Sequence, residues 1–201
     1  MAEATTGTDC ILADLSQAQF PSFMPPFVTS GAHQRLYGAQ GNLDITVTRA
    51  FPSATENAVI AGAYSDISLP AWADYRAAIQ QYHAPSNENY NSLGGLGTWA
   101  AYMAFVQVAD SLKGPINNQT FLAAAQKATV NLPGVPVANF ADKFTGLGGS
   151  FLNDVSRDIT FDVAHHGVPV PWDGGKFFDM TSAELGSPLS AANTPPPGQN
   201  S

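Results

Sequence analysis

The sequence predicts an α/β fold built on a parallel sheet, and three observations predict it. Short apolar runs at Cys10 to Leu15, Arg35 to Gly38 and Ala58 to Tyr64 alternate with helix-like or turn segments, the signature of βα units. From Pro70 onward the apolar spacing becomes helical. One of those helices, about Leu93 to Leu112, is apolar nearly all round and must be covered on several sides. The inventory of four plausible strands offers too little to cover it, so the chain is expected to lack part of its own core.

Taken in order, Cys10 to Leu15 reads as a buried strand. Cys10 is the one cysteine, so it makes no internal disulfide, and within Cys10-Ile11-Leu12-Ala13 it reads as a small buried hydrophobe. Pro21, Pro25 and Pro26 make the helix between Phe20 and Ser30 short or irregular, closing near Gly31. Arg35 to Gly38 is a second strand, and Ala58 to Tyr64, continuously apolar, a third that is covered on both faces. Trp72, Tyr75, Ile79 and Tyr82 then mark one face of an amphipathic helix, with Asp74, Arg76, Gln80 and Gln81 elsewhere. In the next helix Leu96, Trp99, Met103 and Val106 form one stripe and Tyr102, Phe105 and Val108 another. These aromatics, at helical spacing, read as core. Asn117 or Asn118 caps a third helix through Thr129, ended by Pro133 and Gly134. Residues 134–150 form a glycine-rich connector, and Ile159 to Val163 alternates as a half-exposed strand should.

Composition narrows the function. The 201 residues hold 8 Lys+Arg against 16 Asp+Glu, a formal net charge of -8, which excludes a basic nucleic-acid-binding domain. Charged residues make up 12%, against a usual share of about 25%, so the surface is polar but weakly charged. No apolar stretch approaches the roughly 18 residues of a membrane span, and residues 1–9 lack the basic and apolar regions of a signal peptide.

The sharper motifs each have a plainer reading. His165-His166 with Asp162 has metal-ligand chemistry, but adjacent strand residues point to opposite faces, and an exposed turn before Gly167 accounts for the pair. Gly94-Gly95-Leu96-Gly97 lacks the strand and lysine of a phosphate loop, so the glycines serve close approach of helix and neighbour. Ser150 follows Gly148-Gly149 without a nucleophile elbow, and no histidine is placed as its base, so the chain is not expected to be an enzyme. Asn118-Gln119-Thr120 fits a glycosylation sequon, though helix capping explains the same residues. Trp172 stands outside every periodic pattern, as a cleft or a surface residue. No cofactor or metal is called for.

In order and spacing, the segments DCILADLSQAQF, SGAHQRLYGAQGN, AVIAGAYSDIS with PAWADYRAAIQQY, GGLGTWAAYMAFVQVADSL and RDITFDVAHHG resemble the second half of a type I periplasmic-binding-protein fold. The branch is the branched-chain amino-acid (leucine-binding-protein-like) ABC-transporter substrate-binding family, and the resemblance runs from about Thr8 to Asp179. It implies a parallel-sheet lobe plus helices that would pack on a missing first lobe. Residues 1–67 would be second-lobe βα units, 68–133 a hinge crossing and first-lobe helices, and 134–180 a return crossing and late second-lobe strand. Residues 181–201, with Pro195-Pro196-Pro197, would be a disordered tail.

The resemblance further implies non-covalent capture of a small polar or amino-acid-like ligand in an interlobe cleft at the carboxyl ends of the strands. Delivery would be to an ABC permease, and the intact family member would work outside the cytoplasm. The ligand-contact positions are Ser16, after the first strand, Gln40, after the second, and Tyr64, after the third. Where amino-acid-binding members place a carboxylate, Gln40 supplies a neutral amide and no counter-charge. An alternative keeps the fold and changes the role, to a ligand-sensing or interaction module completed by a partner in trans.

Overall fold

The computed structural model describes residues 7–142 and 155–190, together with Pro196. Ser150, the later part of the 134–150 connector and most of the proline-rich tail lie outside the described residues. The sheet is assembled from β1 (Cys10–Leu12), β2 (Arg35–Ala39), β3 (Val59–Gly62), β6 (Asp158–His165) and β7 (Val168–Pro171), in that spatial order, with β8 (Phe178–Asp179) pairing β6. The first three strands are parallel as expected. The sheet then turns antiparallel at β6, which sets Asp162 opposite Ile60 and Phe161 opposite Ala61. A separate short ladder joins β4 (Thr129–Val130) to β5 (Ala138–Asn139).

The helices are α1 (Phe20–Thr29), α2 (Ile45–Ala50), α3 (Ala73–Gln81), α4 (Leu93–Asp110), α5 (Asn118–Ala125) and α6 (Thr181–Glu184). Contrary to the expectation of a short or irregular segment, α1 runs ten residues with Pro25 and Pro26 inside it. Both prolines lie on its exposed side, as do Pro21 and Ser22 one turn earlier, so the carbonyls deprived of an N–H partner sit on the water-facing side. The opposite side buries Phe20, Met24 and Phe27 completely against the sheet, about 1.5–3 kcal/mol for each such side chain.

This core continues through Leu36, Leu43, Val47, Ile60 and Ala164, whereas Val59, Phe161 and Phe178 form a second cluster on the other face. Trp172 packs into that second cluster. With both faces covered, β6 is buried from Thr160 through Ala164 and is not the half-exposed strand its alternation predicts. The alternation is real, but a second core receives Phe161 while the first receives Ala164.

At the other edge the correction runs the opposite way. Expected to be buried to Leu15, β1 ends at Leu12, which is 78% exposed, and Cys10 is exposed too. As the edge strand, β1 pairs among the described residues with β2 alone. Tyr102 (63% exposed) and Phe105 (51% exposed) on α4 are likewise not core, although Phe105 stacks on Phe121 of α5 with ring centroids 4.8 Å apart. Asn117 caps α5 by accepting from the N–H groups of Gln119 and Thr120, and the helix stops at Ala125 instead of Thr129, which enters β4. The expected tail begins with the four-residue α6.

A third cluster, Trp72, Tyr75 and Leu96, ties α3 to α4. The glycine run at the start of α4 serves close approach as expected, since a Cβ on Gly95 would lie 2.7 Å from the Tyr90 carbonyl oxygen. Two distant passages of chain also meet here. The Ser65 N–H donates to the Gly134 carbonyl at 3.0 Å, and Trp72 Nε1 donates to the Ser65 carbonyl at 2.8 Å. Gly134 has φ +75, and a Cβ there would fall 2.5 Å from the Trp72 ring, so only glycine fits on both counts.

Candidate functional site

The carboxyl ends of β1, β2 and β3 lie side by side, so the loops that follow them converge. After β1, Ser16 is exposed and its backbone N–H and hydroxyl both turn to Gln19 Oε1. It does not line the cavity described below. Its neighbour Gln17 instead reaches across, donating through Nε2 to Asp44 Oδ2 at 2.7 Å. After β2, Gln40 is buried and spans the gap to β3. Its Nε2 donates to the Tyr64 carbonyl at 3.0 Å, and its Oε1 accepts the Tyr64 N–H at 3.2 Å. Gln40 and Tyr64 are therefore brought together, whereas Ser16 stands apart. Tyr64 turns its ring edge-on to Trp72, and its hydroxyl lies beside Gly97 of α4.

Around Gln40 lies a polar network. Asp44 caps α2, its Oδ1 accepting from Thr46 N–H at 2.9 Å and Val47 N–H at 3.3 Å, while Oδ2 also accepts from Asn89 Nδ2 at 3.1 Å. Asp66 Oδ1 accepts the Ser68 N–H at 2.8 Å and its Oδ2 accepts Asn91 Nδ2 at 2.5 Å. Asn91 Oδ1 in turn accepts the Ile67 N–H at 2.9 Å. These groups border a cavity of about 40 Å³ whose floor includes Asp162, delivered by β6 next to Ile60.

Asp162 is the anomaly. It is 7% exposed, and its Oδ1 is enclosed with no hydrogen-bond partner among the described residues. Burial, reinforced by the Asp66 charge, pushes its carboxyl up to about 7. Near neutrality this group is divided between charged and protonated forms.

Asp44, Asp66, Asn89, Asn91 and Asp162 are absent from the sequence-based set. Asp44 had a signal, an N-cap residue directly before an apolar helical run. Asp162 had another, a carboxylate in the middle of an apolar strand, though the alternation turned it toward solvent. Asn89 and Asn91 fall in a polar loop where only tertiary contact distinguishes them. His165 and His166 do form the exposed turn, with Glu56 Oε1 3.2 Å from His165 Nδ1 and Oε2 accepting the His166 N–H at 2.7 Å. These contacts, with the His166 N–H the largest cause, hold the Glu56 carboxyl below its ordinary value.

The mixed, mostly parallel sheet and its covering helices make an α/β fold, and it is the fold of type I periplasmic binding proteins. The similarity extends to several solved structures. A fatty acid ABC transporter substrate-binding protein from Thermomonospora curvata shares 18% identity at a TM-score of 0.64, over 89% of this chain and 45% of that one. A branched-chain amino acid ABC transporter from Thermus thermophilus with bound valine shares 19% at a TM-score of 0.63, over 89% and 47%. A possible leucine/isoleucine/valine-binding protein from Rhodopirellula baltica shares 12% at a TM-score of 0.65, over 86% and 46%. This chain thus spans less than half the length of these structures. No family model matches it, nor does any curated protein. No helix among the described residues is long and apolar enough to cross a membrane.

Proposed function

We propose that this chain is part of the solute-binding component of an ABC importer, capturing a small polar or amino-acid-like ligand non-covalently at the carboxyl ends of β1, β2 and β3. The observation that carries the reading is the convergence there of a buried polar network, Gln40, Asp44, Asp66 and Asp162, in a fold otherwise seen in transport-binding proteins. Gln40 forms part of the cavity wall and Tyr64 braces it through the backbone, and Ser16, exposed after β1, is a contact for a ligand held between two lobes. A companion lobe, in cis or in trans, covers Leu12, Tyr102 and Phe105, whose exposure is what an unpartnered half of such a fold presents. Closure of the lobes would bury the ligand and present the closed form to a permease on the outer side of a membrane.

The test is a thermal-shift screen of the 201-residue chain against amino acids, fatty acids, polyols and small amines, followed by calorimetry and mass spectrometry on any hit. The reading expects saturable one-to-one binding with the ligand recovered unchanged. Conversion of the hit, or no saturable ligand of any class by a chain that circular dichroism shows to be folded, overturns it.

A further inference from the structure

We propose that Asp162 is a proton-operated latch for the helical excursion between Ser65 and Gly134: its protonated carboxyl keeps that excursion seated on the sheet, and its ionisation beside Asp66 releases the seat. The device concerns conformation alone and stands apart from the solute-binding reading.

The excursion carries α3, α4 and α5 away from the sheet and back, and a small group of side chains seats it. Asp66 accepts from the Ser68 N–H and from Asn91 Nδ2, and Asn91 Oδ1 accepts the Ile67 N–H, so the departing segment is bound to the loop before α4. Asn89 Nδ2 binds that loop in turn to Asp44 at the start of α2. Both carboxylates border the cavity of about 40 Å³ that Asp162 also lines.

Three carboxyl groups thus share one hollow, and they are not equivalent. Asp44 accepts four hydrogen bonds and Asp66 two, whereas Asp162 Oδ1 is enclosed with no partner among the described residues. The groups that face it carry no positive charge. β3 and β7 set Ile60 and Pro171 opposite it, the end of β2 supplies Gln40, the start of α2 supplies Asp44, and the segment after β3 and the loop before α4 supply Asp66, Asn89 and Asn91. On β6 itself His165 meets Glu56 at the exposed turn, and Asp158 stands opposite Asp179 at the other end. Asp173, in the turn Trp172–Gly175 beside β6, is exposed and 3.9 Å from Lys176. A carboxylate at Asp162 therefore meets neither a donor nor a counter-charge, and a cavity with room for one or two waters does not solvate a second charge next to Asp66. Burial first, and the Asp66 charge second, push the Asp162 carboxyl up to about 7.

Release follows from what each side can yield. β6 is covered on both faces and paired with β3 and β7 along its edges, so Asp162 cannot withdraw. Residues 66–68 hang on the side-chain bonds just named. Repulsion from an ionised Asp162 falls on Asp66 and pulls against its bonds to Ser68 and Asn91. Because the folded state binds this proton more tightly than an ordinary carboxyl at 3.8, the latch is closed in acid and opens as pH rises through about 7.

Amide hydrogen exchange in the 201-residue chain, expressed as protection relative to the unfolded chain at each pH, reads the latch residue by residue. The carboxyl ¹³C resonance of Asp162 gives its titration midpoint. Protection of the Ser65, Ile67 and Ser68 amides, each hydrogen-bonded at the seat, is expected to fall about tenfold or more between pH 5.5 and pH 8.5, following that midpoint. The fall is independent of urea below the unfolding transition, as a local opening requires, whereas exchange of Ile60 and Val163 in the sheet accelerates with urea. D162N keeps its pH 5.5 protection at pH 8.5. D66N moves the Asp162 midpoint to lower pH, a readout that serves even should D162N fail to fold. Protection at the seat that ignores pH overturns the latch, and so does an equal fall in D162N, which places the titrating group elsewhere. Loss at the seat with the urea dependence of Ile60 and Val163 overturns it too, since Asp162 then acts on the whole fold. An Asp162 midpoint unchanged in D66N removes Asp66 from the device and overturns it as stated.

Discussion

The side-chain amide of Gln40 is paired at both ends with the backbone of Tyr64, donating to its carbonyl at 3.0 Å and accepting its N–H at 3.2 Å. The contact continues the β2–β3 pairing beyond the last ladder residues, where the two strands would otherwise splay. Gln40→Ala leaves both Tyr64 backbone groups without their partner, and a loss of about 1–3 kcal/mol follows. Urea denaturation measures it. A ligand whose affinity is untouched by this substitution removes Gln40 from the binding wall.

Gly62→Ala reaches the same contact from below. Its Cβ would lie 2.6 Å from Gln40 Oε1, so the amide must swing away from Tyr64. Stability falls by an amount similar to that of Gln40→Ala, and the double variant is far less than additive. Full additivity would show that the two residues act separately.

The paired glycines at the start of α4 separate conformational from steric effects. A Cβ on Gly94 meets nothing nearer than 3.7 Å, whereas one on Gly95 meets the Tyr90 carbonyl oxygen at 2.7 Å. Gly94→Ala stabilises by about 0.5 kcal/mol through reduced chain entropy, and Gly95→Ala destabilises by about 1–3 kcal/mol through overpacking. Thermal unfolding of the two variants decides it, and equal effects would contradict the geometry.

For Asp162 the sign follows from a carboxyl that titrates near 7 in the fold and at an ordinary 3.8 when unfolded. The folded state holds its proton more tightly, so this contribution is fully present below about pH 4, declines as pH rises through about 7, and stays lost above it. Asp162→Asn therefore stabilises the unliganded chain at pH 8 by roughly 2–4 kcal/mol and leaves it nearly unchanged at pH 4. Glu56 and Asp179, whose carboxyls are held below their ordinary values, favour the opposite trend. The difference between wild type and Asp162→Asn across pH isolates the buried group.

Leu12 and Tyr102 test the uncovered faces. Leu12→Ser and Tyr102→Ser change the stability of the isolated chain by no more than about 0.5 kcal/mol, because neither side chain is buried. Both lower its tendency to associate in sedimentation velocity, and a loss of stability comparable to a core truncation would mean that these faces are covered within the chain itself.

The elements legible in sequence are those whose pattern is local. Val59-Ile60-Ala61 announced a strand with two covered faces, whereas Pro21, Pro25 and Pro26 masked the apolar helix face of Phe20, Met24 and Phe27. An asparagine cap at 117 or 118 was legible too, and Asn117 fills it. What was hidden depended on partners far away in the chain. The second face of β6 needs Phe178 and Trp172 to cover Phe161. The exposure of Leu12, Tyr102 and Phe105 depends on the absence of cover, which no run of residues records. The nearness of Gln40 to Tyr64 was legible because each follows a neighbouring strand, whereas Asp162 arrives from an antiparallel strand about a hundred residues later.

The junction of Ser65, Trp72 and Gly134 bears on mechanics. Residues 65 and 134 are 69 positions apart yet joined by a hydrogen bond, so α3, α4 and α5 form a closed loop with both feet on one spot. The loop before α4 is tied down as well, by Asn89 donating to Asp44 at the start of α2. Force applied along α4 therefore reaches the sheet beside Asp66 and at Asp44 together, and both carboxylates border the polar cavity.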